Sequence, residues 1–75
     1  MTFIGIFTED GLDSVVETRA KMYRECSDLK LMGFSPKVHV TEGEHVLHLI
    51  HDHMRAGRSF VTARRKAVAG EAVPS

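Results

Sequence analysis

Along the first stretch of the chain, Thr2 to Thr8 (TFIGIFT), Phe3 and Phe7 point one way while Ile4 and Ile6 point the other. A short run that is apolar on both sides predicts a strand covered on both faces. Gly5 in its middle contributes no packing of its own and lets another backbone or side chain come close. Glu9 to Asp13 (EDGLD) reads as a turn.

The period then changes. Ser14 precedes Glu17 by three residues, the spacing of a capping box, in which each side chain satisfies a backbone donor left free at a helix start. At about 100° per residue, Val15, Val16, Met22, Tyr23, Cys26 and Leu29 fall on one stripe, with Glu17, Lys21, Arg24, Glu25 and Asp28 opposite. Gly33 is placed to end this helix as a left-handed cap, with Phe34 folding back and Pro36 preventing continuation.

Lys37 to Thr41 (KVHVT) alternates again, Val38 and Val40 sharing a side, and predicts a second strand. Strand, helix and strand in succession imply a right-handed βαβ crossover with the two strands as parallel neighbours. Beyond it, Glu42 and Gly43 suit a hairpin into a third strand over His45 to Ile50, whereas Thr41 and Glu44 have the spacing of a second capping box. The helix is favoured, because Val46, Leu47, Ile50 and Met54 share one face, Arg55 suits a C-terminal turn and Gly57 is a natural stop. After Gly57, RSFVTARRKAVAG reads either as a helix capped by Ser59 with Phe60, Ala63 and Ala67 inward, or as an edge strand. The expected fold is α/β, or small α+β: a βαβα two-layer domain with a basic C-terminal helix or edge strand. Residues 1–70 form one compact domain and residues 71–75 a frayed tail.

Charge sharpens this picture. Met1 to Asp52 carries five Lys or Arg against nine Asp or Glu, net −4, and His53 to Ser75 carries five against one, net +4. The formal zero therefore hides a dipolar chain, a pattern that points to an acidic surface of a larger protein or nucleoprotein assembly, or to nucleic acid, as partner. With 43% hydrophobic and 27% charged residues the composition is that of a folded protein. Seventy-five residues bury a modest core, and a two-stranded sheet leaves open edges, so a homodimer is expected. The lone Cys26 excludes an intrachain disulfide framework, and no basic segment leads into a long apolar run, which implies no membrane span and a cytoplasmic protein.

Three constellations carry candidate chemistry. His45, His48 and Asp52 stand about one helical turn apart, and imidazoles with a carboxylate suit zinc, although none of the strong metal spacings is present. The bland alternative is a polar helix face rich in histidine, to which His51, His53 and the distant His39 add a pH-dependent option. The second constellation is the cationic set Arg55, Arg58, Arg64, Arg65 and Lys66, with Phe60 its only interleaved aromatic residue; it suits phosphate or carboxylate contacts without a demanding geometry. The third is Arg19, which falls inside the apolar stripe of the first helix. Either its stem packs there while its head reaches water, or Arg19 and Tyr23 anchor a docking surface.

Catalysis draws little support, because no residues fill the roles an active site needs and EDGLD would repel a phosphate. Cofactors are expected to be absent, zinc excepted. The sequence therefore reads as a non-enzymatic interaction protein that binds and modulates, or inhibits, a larger assembly, as a phage-type accessory or regulatory protein would. The alternatives are a nucleic-acid-binding regulator built on the basic segment and a metal-responsive binder built on the histidines.

Overall fold

A computed structural model describes residues 1–74. Six elements follow one another: β1 (Phe3–Thr8), β2 (Gly11–Val16), α1 (Arg19–Leu31), β3 (Lys37–Thr41), α2 (Glu44–Arg55) and α3 (Phe60–Val68). Three helices and a three-stranded antiparallel sheet make a small α+β domain. The strand order is β2-β1-β3, with β1 antiparallel to both neighbours.

Two expectations are corrected here. The segment read as a turn and helix start is β2, and β1 and β3 are antiparallel rather than parallel. Both corrections have one cause, because β2 reverses the chain before α1 begins. The crossover helix therefore links β2 to β3, parallel strands held apart by β1, as a split βαβ unit.

The register explains why β2 resembles a helix in sequence. Ile6 pairs with Ser14 but Phe7 pairs with Leu12, leaving Asp13 as the extra residue of a β-bulge. The bulge brings Leu12 and Val15, three residues apart, onto the same face, where both pack against the core. An apolar spacing of three is a helical period, produced here by a strand with one residue too many. Ser14 makes no capping box; its Oγ is buried without a hydrogen-bond partner among the described residues. The cap of α1 is instead Thr18, whose Oγ1 accepts from the Lys21 N–H at 3.2 Å.

The helix ends are as the sequence implies. Gly33, at φ 93°, follows α1, and the N–H groups of Gly33 and Phe34 bond back to the carbonyls of Lys30 and Leu29. Gly57 closes α2 in the same way. Ser59 caps α3, its Oγ accepting from the Thr62 N–H at 3.3 Å, so the basic segment is helix rather than edge strand. At the start of α2 the expected box is missing: Gly43 is the cap residue without a side-chain bond, while Thr41 Oγ1 accepts from the Gly43 N–H at 3.2 Å.

One face of the sheet carries Phe3, Gly5 and Phe7, and α2 and α3 pack upon it. Phe7, Leu47, Ile50, Phe60, Ala63 and Ala67 form the main core. The rings of Phe7 and Phe60 lie 5.2 Å apart at 52°, a tilted aromatic contact of the favoured kind. Full burial of each large apolar side chain in this set contributes about 1.5–3 kcal/mol. Gly5 is where Leu47 enters: a Cβ there would stand 2.6 Å from Leu47 Cδ2, the close approach its place in the strand suggested. The sheet with α2 and α3 makes two layers, and α1 on the opposite face adds a third. Helix α1 crosses the other face, which carries Ile4 and Ile6 of β1 and, by register, Val38 and Val40 of β3. Among the described residues no helix is long and apolar enough to cross a membrane. The frayed tail expected over residues 71–75 includes Ser75, which lies outside the described residues.

Candidate partner-binding surfaces

In α3 the inward positions are Phe60, Ala63 and Ala67, two of them alanines, so the helix lies close to the core and its intervening residues turn outward. Arg64 and Arg65 are exposed and Lys66 is half-buried; Arg55, in the last turn of α2, is exposed, and Arg58, just beyond Gly57, is half-buried. Among the described residues none of the five forms a salt bridge; the pair that does form joins Glu44 to His48 at 3.8 Å. Arg64 lies over the Phe60 ring, its guanidinium carbon 5.5 Å from the centroid, a cation–π contact that fixes the side chain while leaving its N–H groups free.

One further cation, Lys37, and the imidazole of His39 share this side of the molecule. In the β1–β3 register Lys37 pairs with Phe7 and His39 with Gly5, placing both on the sheet face that α2 and α3 cover. Partial burial, and then the Arg64 charge, hold the His39 imidazole below its ordinary pKa of 6.5. The basic surface therefore continues from α3 onto the rim of β3. Alternation in KVHVT already sets Lys37 and His39 opposite Val38 and Val40. What the sequence lacks is the information that α3 packs on that same face.

Arg19 and Tyr23 are brought together, but elsewhere. Both line a groove of about 640 Å³ between the first turns of α1 and the other sheet face, whose walls include Ile4, Met22, Val38 and Val40. Glu17 stands in the same groove. Tyr23 is 63% exposed and Val40 57%. The seven candidate binding residues thus divide between two faces: five around α3 and two at the groove.

The histidines divide as well. His51 Nδ1 accepts the Leu12 N–H at 2.9 Å, joining α2 to the β1–β2 hairpin. His53, 1% exposed, uses Nε2 to reach the Glu71 carbonyl oxygen at 2.7 Å. Both are structural, since each fastens α2 to a neighbouring segment. His45, His48 and Asp52 are exposed, and His48 faces Glu44. Among the described residues no group of three or more His, Cys, Asp or Glu side chains gathers in a way that would hold a metal ion. Cys26 is a half-buried free thiol on α1.

Comparison of the chain with family models, with curated proteins and with solved structures gives no match.

Proposed function

We propose that this chain is a non-enzymatic interaction protein that binds and modulates a larger macromolecular assembly through the cationic surface of α3 and the end of α2. The observation that carries the reading is that the five Arg and Lys side chains of α3 and the end of α2, three of them exposed, have no carboxylate partner among the described residues. An exposed cluster of one sign raises the local potential and draws in a surface of the opposite sign. The occupant is an acidic protein surface. Nucleic acid is disfavoured on two counts. The net charge of the whole chain is zero, so its acidic half opposes a polyanion. Phe60, the aromatic residue among the cations, is buried beneath Arg64 and offers no face for a base to stack upon. Binding at this surface modulates the assembly by occupying its acidic site.

The test is affinity capture from host lysate, divided into nuclease-treated and untreated halves, using the wild-type chain and an Arg64→Glu/Arg65→Glu variant. A discrete protein retained after nuclease, released by salt and lost with the double variant supports the reading. Capture that collapses on nuclease treatment transfers the surface to nucleic acid, and capture indifferent to the double variant overturns it.

A further inference from the structure

The two edges of the sheet are treated differently. The β2 edge carries a bulge at the exposed Asp13, and a bulge together with a charge is how folds discourage a further strand from adding. The β3 edge has no bulge, and its one charged residue, Lys37, stands at the first position of the strand on the face opposite the two valines. It is a regular five-residue strand with two valines on one face, Val38 37% and Val40 57% exposed, beside the 63% exposed Tyr23. Among the described residues no strand pairs with its outer side.

We propose that the outer edge of β3 pairs antiparallel with β3 of a second copy, about a two-fold axis through His39, to form a continuous six-stranded sheet. The register follows from parity. An axis perpendicular to the sheet keeps each face on its own side, so directly opposed residues must share a face and the axis must pass through a residue. Centred on Val38, the pairing sets Val40 against Pro36 of the second copy. Centred on Val40, it sets Val38 against Glu42. Centred on His39, it sets Val38 against Val40 and Val40 against Val38, the one choice that matches valine with valine on the groove face.

Charge also favours a second copy over a charged ligand. Each groove brings one carboxylate, Glu17, and one guanidinium, Arg19, so two grooves meet without net repulsion. On the opposite face Lys37 stands against Thr41 of the second copy and His39 against its own counterpart, with Arg64 nearby. That arrangement favours neutral imidazoles, because like charges placed directly opposite are destabilising. The dimer would carry both α3 surfaces on one side of the sheet.

Sedimentation equilibrium of the full chain over a concentration series tests the inference. The wild type is expected at the mass of two chains. Val40→Lys and Val38→Glu, both at exposed positions, are each expected to retain the circular dichroism of the fold and to dissociate at least about tenfold more readily. Mixed together they should reassociate, since position 40 of one faces position 38 of the other, whereas Val40→Lys mixed with Val40→Glu should not. A wild type of single-chain mass at every concentration overturns the inference and leaves the groove to a different partner. Dimers indifferent to both substitutions overturn it equally. Backbone amide exchange of the wild type supplies a check free of variants: protection over residues 38–40 must increase with concentration, and its independence of concentration refutes the pairing.

Discussion

The Nε2 of His53 lies 2.7 Å from the main-chain oxygen of Glu71, eighteen residues further along the chain. A carbonyl oxygen only accepts, so the ring donates through Nε2–H. Its Nδ1 is buried and has no partner among the described residues. The bond fastens the segment following α3 to α2, across the helix pair that carries the basic surface. His53→Ala removes both the tie and a fully buried ring. Urea unfolding should show a loss of about 2–4 kcal/mol, with faster amide exchange at the end of α3.

Leu47 occupies the space that a side chain at position 5 would need. Gly5→Ala sets a methyl group 2.6 Å from Leu47 Cδ2 and 2.9 Å from Phe7 Cε1, an overpacking that should cost about 1–3 kcal/mol. Leu47→Val in the same chain relieves the contact. The double variant should therefore lose less than the sum of the two single losses, measured as a coupling in a double-mutant cycle.

Ser14 offers the opposite case, a buried hydroxyl in β2 without a partner among the described residues. Its desolvation is not recovered by any bond, so Ser14→Ala should raise stability by roughly 0.5–1 kcal/mol. Thermal melting checks this, and a lower melting temperature would show that the hydroxyl has a partner in solution.

His39 makes stability depend on pH with a definite sign. Burial and Arg64 hold its folded pKa below the ordinary 6.5, so on acidification the unfolded chain takes up this proton first. Stability from this group is fully present above the unfolded value. It declines as pH falls through that value and levels off once the pH lies beneath the folded pKa. His39→Gln should flatten that part of the decline relative to wild type in melting curves taken between about pH 7 and pH 5. A wild-type slope unchanged by the substitution would assign the dependence to other groups.

The elements whose apolar period matches their structure were readable in the sequence. In α2, Leu47 and Ile50 are fully buried, and in α3 Phe60, Ala63 and Ala67 face the core. β1 and β3 occupy the expected segments. What misleads is β2, where the bulge converts a period of two into a spacing of three between Leu12 and Val15, so the residues advertise a helix. From that error the parallel pairing of β1 and β3 follows, because strand direction depends on how many reversals precede it. The candidate site was legible in the same uneven way. Local spacing identifies Arg64 and Arg65 as outward residues, but the helical stripe that places Arg19 beside Val15 does not exist, because Val15 and Val16 lie in β2 and Arg19 is the exposed first residue of α1. Whether those residues share a surface depends on which side of the sheet each helix covers, and no local pattern records that. Likewise, the histidines of α2 look alike in sequence. Only the positions of Leu12 and Glu71 distinguish the fastening pair, His51 and His53, from the exposed pair, His45 and His48.

The bulge at Asp13 leaves one more consequence. Its exposed side chain is not part of the core, yet the presence of a residue at that place lets Leu12 and Val15 face the same way. Position 13 is accordingly constrained in number and lenient in kind: exchanging Asp13 for another polar residue should pass unnoticed, while deleting it would rotate one end of β2 and turn either Leu12 or Val15 out of the core. A scan of substitutions would score this position as dispensable, and a scan of single-residue deletions would score it among the least tolerant.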